Sequence, residues 1–481
     1  MPMRLPALAA LTLCIASSQV SPPDTFSSVI TADALKGDIS FLASDALEGR
    51  GTPSRGLDLA AEFIASQFRR AGLDPAGDDR FFENAAFESA TVKQAEIAIA
   101  FEAGGKTIQP AEGTVSVNVV AAADLKSAPI VVADETTLKT LTPEQVQGKI
   151  LALIISGGAF RNQTLAKLKP GLILGIPPAG AAGGGSAGPQ LRQSGPAPAR
   201  TPVLLVRDPR VREVLTAKTD TPITASVHIP APDITPVKLR NVIGILRGSD
   251  PQLKDTYLVL TAHYDHLGIR DNGADDHIYN GADDDASGTA SLIEIAASLA
   301  ALPARPKRTV IFIALFGEEL GLLGSRYYSQ HPLFPLAKTV ADVNLEQLGR
   351  TDDTQGPHVK MFNLTGYDYT DLPGVFNKAG EQTGIKAIKD EKNSDPYFTR
   401  SDNAAFALAG VPSTTLSVAY AFPDYHQQGD EWEKLDYDNM ALVDRTIALA
   451  IVDLANSNAA SKWNESNPRT ADFVNARAAQ K

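Results

Sequence analysis

At 481 residues the chain is too long for one ordinary core, and its length points to about three units. A hydrophobic fraction of 43% and a charged fraction of 21% are those of a globular protein. The net charge of −12 argues against nucleic acid and anionic membrane surfaces as partners.

Residues 1–18 read as a secretory signal peptide. Arg4 gives a positive start, 5–16 is a short apolar run, and Ala16-Ser17-Ser18 offers small residues for cleavage. The run is too short to span a bilayer, and no later segment reads as membrane-inserting. A secreted or periplasmic location is expected. Cleavage removes Cys14, the only cysteine. A lipid anchor there is disfavoured, because Leu13 rather than a small residue precedes it. Without disulfides, stability must come from the core and from bound metals.

Within 26–110, the stretch 31–73 reads as amphipathic helix. Leu57, Ala60, Ala61, Ile64 and Phe68 recur at helical spacing, and Gly72 stops the run. Leu47-Glu48-Gly49-Arg50-Gly51 reads as a turn-like break. From 111 to 235, β-branched runs at 115–120, 130–132, 150–155 and 203–206 alternate with Pro- and Gly-rich stretches, which predicts a small β-rich module. Its stretch 177–198, rich in Gly, Ala and Pro, reads as a flexible loop; no strand-turn-helix context marks a dinucleotide site.

From 236 to 456 strands alternate with helices. Strands are expected at 241–246, 257–262, 309–316, 340–345, 359–363 and 413–418, and helices at 289–301 and 439–456. This rhythm predicts an α/β fold, a three-layer sandwich around a mixed, largely parallel sheet. Residues 457–481, polar and Ala-rich, read as a loosely held C-terminal tail.

In open α/β sheets, sites form outside the carboxyl ends of strands. The expected strands deliver His263, then Glu318 and Glu319, then Glu346 to such ends. Asp283-Asp284-Asp285 precedes a helix, and Asp424-Tyr425-His426 adds an imidazole. Singly, each has a plainer reading: a structural histidine, a solvated Glu pair, a helix cap. Together they supply the donors zinc accepts. His266 is read as capping or packing. No Gly-x-Ser-x-Gly elbow occurs, which disfavours a covalent serine nucleophile.

The order His-x-Asp, Gly-Ala-Asp-Asp-Asp-Ala-Ser-Gly, Glu-Glu, Asn-Leu-Glu, Tyr-His resembles the co-catalytic di-zinc aminopeptidases. This is the family of aminopeptidase Y, secreted bacterial leucine aminopeptidases and glutamate carboxypeptidase. The resemblance runs from about 30 to 455. On it, 26–110 and 236–456 form the zinc peptidase domain, and 111–235 looks like a protease-associated insert. It implies two Zn2+ ions, with Mn2+ or Co2+ as substitutes. His263 and Glu346 would hold the first, Glu319 and His426 the second, and Asp284 would bridge them. Glu318 would be the general base, Asp265 would orient His263, and Tyr425 would donate to the developing oxyanion. A cis peptide between Asp284 and Asp285 is also implied.

Two departures stand out. Glu346 replaces the family's usual Asp, and Asn403 follows Ser401-Asp402 where many relatives have His; that segment is read as a substrate-side loop. The expected activity is removal of N-terminal residues from peptides. The alternatives are a carboxypeptidase or dipeptidase, which a cluster of arginines would favour, a single-zinc glutaminyl cyclase, and a non-catalytic binding protein. Arg350 and Arg400 alone do not decide between the two ends of a peptide. Nothing in the sequence signals oligomeric state.

Overall fold

The apolar runs after 236 become neighbouring strands, and their order decides where the polar residues that follow them meet. The structure, a computed structural model, describes residues 22–155, 163–178, 189–195, 200–217, 222–271 and 275–480. The leader at 1–18, with Cys14, lies outside those residues, as do 179–188 and 196–198 of the Gly-rich stretch. Two units are present. The larger takes in the chain up to Ala85 and from Leu239 onward, and the smaller is Ala86–Lys238.

The main sheet of the larger unit includes β1 (Asp233–Leu246, which enters this unit at Leu239), β2 (Tyr257–His263), β3 (Thr309–Leu315), β4 (Thr339–Leu345), β5 (Met361–Leu364), β6 (Lys386–Ile388) and β7 (Ser413–Ser417). They lie in the order β6-β5-β7-β4-β2-β3-β1. The central four, β3, β2, β4 and β7, are parallel, whereas β1 runs against β3 and β5 against β7. The sheet is therefore mixed with a parallel centre. Side chains alternate across it. Ile311, Ile313 and Leu315 of β3 join Tyr328, Phe406 and Val411 on one face. Phe312 meets Phe68 on the other, ring centroids 6.4 Å apart. Every residue of β3 and β4 is buried, as a sheet covered on both faces requires.

Phe68 belongs to α1 (Arg55–Arg70), whose first turn is capped by Ser54: its Oγ accepts the Leu57 N–H at 3.0 Å. Behind the sheet, α2 (Gly288–Ala300) packs against α3 (Tyr437–Asn456). Asp444 of α3 is buried there. The Ser291 hydroxyl of α2 donates to one of its oxygens at 2.9 Å, and the other has no hydrogen-bond partner. Burial pushes the Asp444 carboxyl up to about 8.

The smaller unit has its own sheet and its own apolar cluster, including Phe101, Leu172, Leu174, Leu204 and Val227. The sequence places a module boundary at 111; in the structure Ala98–Ala103 pairs with Thr224–Ile229, which draws residues 86–110 into this unit. Gln190–Gln193, inside the stretch read as loop, forms a strand.

Residues 457–480 correct the expectation of a loose tail. Trp463 and Phe473 are buried with Tyr369 and Phe398, and the Trp463 Nε1–H donates to the Gly410 carbonyl at 3.0 Å. Phe473 sits on α4 (Ala471–Ala479) and stacks on Trp463 at 4.9 Å. Two aromatic anchors thus outweigh the polar composition around them. Among the described residues, no helix is long and apolar enough to cross a membrane.

Phe473→Ala is expected to cost about 3 kcal/mol in urea unfolding; a loss under about 0.5 kcal/mol would mean the segment is loosely held. Asp444 gives a pH dependence with a definite sign. Unfolded aspartate ionises near ~3.9, while the buried carboxyl keeps its proton up to about 8. The folded state therefore binds the extra proton between those values, and this group's contribution to stability falls as pH rises through that window. Asp444→Asn should gain on the wild type by more than about 1 kcal/mol between pH 5 and pH 8 in chemical denaturation, and a constant difference would contradict the assignment.

Candidate metal centre

Strand register brings the polar residues together. His263 ends β2 beside Leu315, and Thr261 lies beside Asn344. The turns after β2, β3 and β4 therefore leave from one rim, carrying His263 and Asp265, Glu318 and Glu319, and Glu346. The segment before α2 carries Asp283, Asp284 and Asp285 to the same rim.

Backbone hydrogen bonds sort the Asp triplet into separate jobs. Asp283 Oδ1 accepts the N–H groups of Gly349 at 2.6 Å and Arg350 at 3.1 Å. Asp285 Oδ1 accepts those of Gly288 at 2.9 Å and Gln347 at 3.2 Å. The two outer carboxylates thus lash the turn after Glu346 to the start of α2. Ser287 Oγ adds an acceptor for the Leu348 N–H at 2.9 Å. The Asp430 carboxylate takes the N–H of Asp283 at 2.9 Å and of Asp284 at 3.1 Å. A Cβ on Gly288 would lie 2.3 Å from the Leu345 carbonyl oxygen, so the close seat of α2 on β4 needs glycine. The peptide between Asp284 and Asp285 is cis.

The middle residue is left for the site. Asp284 Oδ1 lies 3.3 Å from His263 Nε2, and Oδ2 lies 3.1 Å from His426 Nε2. Glu319 Oε1 is 3.3 Å from His426 Nε2 and 2.9 Å from His266 Nδ1. Two groups result, His263–Asp284–Glu346 and His266–Asp284–Glu319, each with one donor atom per residue within 4.8 Å of the others. His263 Nε2 and Glu319 Oε1 are buried without a hydrogen-bond partner. Buried polar atoms are ordinarily paired, and imidazole nitrogens with carboxylate oxygens are zinc's donors. The residues fit a metal.

The electrostatics follow. Burial opposes the Asp284 and Glu319 charges, but His263 and His426 outweigh it at Asp284, and His266 and His426 at Glu319. Asp284 is held well below the usual carboxylate range and Glu319 at about 2. Burial opposes charge on His426 too, and the same carboxylates still raise it to about 10. Burial lifts the Glu318 carboxyl well above its ordinary value; His263 opposes the rise, and Glu346, Asp402 and Glu319 add to it.

Asp265 lies under the site in two ways. Its carbonyl oxygen is 3.2 Å from His263 Nδ1, closer than its carboxylate at 3.7 Å. A proton on Nδ1 shared with that carbonyl leaves the Nε2 lone pair toward Asp284. Its carboxylate accepts the Glu318 N–H at 3.0 Å and the Thr52 hydroxyl at 3.2 Å. Asp265 therefore sets Glu318 as well as His263. Glu346, one methylene longer than the family's usual Asp, still joins the His263 group, with Asn344 Nδ2 at 3.5 Å from its Oε2. Tyr425 stacks on His426, ring centroids 4.0 Å apart. Burial and nearby carboxylates push its phenol up, so it stays a donor. Glu318, Glu346, Tyr397, Arg400, Ser401 and Tyr425 line one polar pocket.

The 401–403 loop faces that pocket only in part. Ser401 lines it, but Asp402 and Asn403 turn inward. Asp402 accepts from the Ser325 hydroxyl. Asn403 donates to the Phe398 carbonyl at 2.9 Å and accepts from Thr415 Oγ1 at 2.8 Å. Arg350 is paired with Asp352 at 2.6 Å and Asp424 at 2.9 Å. His266, read from the sequence as capping or packing, stands against Glu319.

Arg50 lies within the segment that reads from the sequence as a turn-like break. It is fully buried, and its guanidinium donates to the carbonyls of Leu42, Tyr264 at 2.9 Å, Asn280 at 2.7 Å and Gly281 at 2.8 Å. It thus ties the turn after His263 to the segment before the Asp triplet. Burial lowers it to about 10, against the pull of Asp265, Asp285, Asp430 and Asp284. The Gly-Arg-Gly run, with Arg50 at φ 50°, was the available signal. Arg50→Met removes the charge and takes the guanidinium donors from four carbonyls, of which Gly281 keeps the Ala286 N–H; unfolding free energy of the metal-free protein should fall by about 3–5 kcal/mol, and a fall under about 1 kcal/mol would contradict this role.

Known proteins share parts of this sequence and its fold. Residues 241–451 match the family described as Peptidase family M28. A probable zinc metalloprotease of Pyrenophora teres f. teres is 35% identical over 135 residues, covering 27% of this chain and 28% of the relative. Aminopeptidase YwaD of Bacillus subtilis is 34% identical over 220 residues, 44% of each. The chain spans about half or less of the length of the curated relatives it matches. Among solved structures, an aminopeptidase from Aneurinibacillus sp. strain AM-1 superposes with a TM-score of 0.60 at 17% identity, over 89% of this chain and 95% of the other, a likeness of fold. Residues 241–451, the part of the chain similar to Peptidase family M28, carry all of these ligand-type side chains.

Proposed function

We propose that the protein is a zinc-dependent exopeptidase holding two zinc ions and releasing N-terminal residues from peptides. One observation carries this reading: the two oxygens of Asp284 face different ligand groups, His263 on one side and His426 on the other, with Glu318 lining the adjoining pocket. That is the arrangement a bridging carboxylate needs. Zinc ions held there would bring the pKa of a water down toward ~7 and polarise the scissile carbonyl. Glu318 takes the water proton and returns it to the departing amine nitrogen as the C–N bond breaks. The Asp265 hydrogen bond to its N–H fixes where that carboxylate starts. The Tyr425 hydroxyl donates to the oxygen that gains charge.

The amino end is favoured over the carboxyl end by the fate of the arginines. Arg350 is neutralised by two carboxylates, and Arg400 is the arginine among the described residues that lines the pocket. One cation falls short of the cluster a substrate carboxylate would call for. Among the relatives' names, aminopeptidase points the same way, and probable glutamate carboxypeptidase points to the other end. The Ala86–Lys238 unit we read as a protease-associated module, supported by its position within the peptidase sequence and its separate sheet. A secreted or periplasmic site of action is part of the proposal, supported by the leader-like sequence at 1–18.

Glu318→Ala should retain bound zinc and lose about 10²–10⁴-fold in turnover of aminoacyl substrates. Unchanged turnover would remove Glu318 from the role of base. Cleavage of N-blocked peptides from their C-terminus by the wild type would overturn the aminopeptidase reading.

A further inference from the structure

The family resemblance assigns His426 to the second metal and gives no role to His266. Yet His266 is the more deeply placed of the two, 2% exposed, with neither ring nitrogen hydrogen-bonded. Buried polar groups are ordinarily paired, and one left unpaired in the interior is costly. Its Nδ1 lies 2.9 Å from Glu319 Oε1, itself buried and unpaired, and 4.0 Å from Asp284 Oδ2. The approach is short, but its direction is not that of a hydrogen bond. Imidazole nitrogen and carboxylate oxygens converge without bonding to one another.

The separations identify what they converge on. With metal–ligand bonds of about 2.0–2.1 Å, ligands at right angles on one ion lie about 2.9 Å apart, at the tetrahedral angle about 3.3 Å, and opposite one another about 4.1 Å. His426 Nε2, at 3.1 Å from Asp284 Oδ2 and 3.3 Å from Glu319 Oε1, fits two neighbouring positions. His266 Nδ1 fits a position beside Glu319 and across from Asp284 on the same ion. The His266 and His426 rings meet edge to face, centroids 5.7 Å apart, so neither displaces the other. The ring's place is also built. The His266 N–H donates to the Arg50 carbonyl at 3.3 Å. A Cβ on Gly281 would fall 2.4 Å from His266 Cγ, so the glycine clears the space the imidazole fills.

We infer that His266 is a fourth protein ligand of the second metal, through Nδ1, alongside Asp284, Glu319 and His426. The two centres are then unequal. Four side chains hold the second ion, and three (His263, Asp284 and Glu346) hold the first. The second ion binds more tightly and fills first, and the first keeps the more open position toward the pocket. This inference rests on the two-zinc reading above.

The test is zinc titration of chelator-stripped protein against a chromophoric competitor, for the wild type, His266→Ala and His266→Phe. Phenylalanine fills the ring's volume without a donor, so the metal-free His266→Phe protein should unfold no earlier than the metal-free wild type. The wild type should bind two ions with separated affinities. Both variants should weaken the tighter step by more than the about 10–100-fold that losing a merely orienting partner costs, with the weaker step changed less. Two ions in the wild type and affinities in either folded variant within about twofold of it would overturn the ligand role while leaving the two-zinc reading intact. Fewer than two ions in the wild type would overturn that reading, and this inference with it.

Discussion

Concentrated negative charge inside the protein is the constraint on which the rest of the site depends. Asp265, Asp283, Asp284, Asp285 and Asp430 are all buried at one rim of the sheet, and Glu318, Glu319 and Glu346 close over them. A carboxylate cannot stay charged there unless it is paired or hydrogen-bonded. The fold answers each in a different way. Asp283, Asp285 and Asp430 are spent on backbone N–H groups. Arg50 supplies a buried positive charge beneath the cluster while clamping the carbonyls that shape it. Asp284 and Glu319 are left facing imidazoles, with His263 Nε2 and Glu319 Oε1 unpaired, where bound metal would complete the balance.

This division of labour explains how side chains far apart in sequence hold fixed positions. The parallel strands set the coarse geometry, since three of them end at one level. The carboxylates set the fine geometry. Asp285 grips the residue after Glu346, and Asp265 grips Glu318 itself. The turns that carry the ligand-type residues are thereby cross-linked by hydrogen bonds from their backbone N–H groups to buried carboxyl groups.

The sheet and the turns that carry His263, Glu318, Glu319 and Glu346 were legible in the sequence for a physical reason. Continuous apolar runs mark buried parallel strands, and the residue after each run must lie at a strand end. His263, Glu318, Glu319 and Glu346 could be placed that way. What escaped was whatever depends on distant contacts. Arg50 reaches Tyr264, 214 residues away, and no local pattern announces a buried arginine. Asp430 and Thr52 act on backbone and side chains that only the fold brings near. His266 follows the His-x-Asp motif by a single residue, and only the fold sets its ring against Glu319. The C-terminal segment was misread because composition dilutes two aromatic anchors, Trp463 and Phe473, among polar residues.

The central claim is that the unpaired donors around Asp284 are two metal positions sharing one carboxylate. Crystals of the zinc-loaded protein, measured at wavelengths on either side of the zinc absorption edge, test it directly. The account predicts two anomalous peaks about 3.5–4 Å apart, one beside His263 and Glu346 and the other beside His426 and Glu319, with Asp284 between them. A single peak, or peaks that leave Asp284 without a zinc on both of its oxygens, would contradict it.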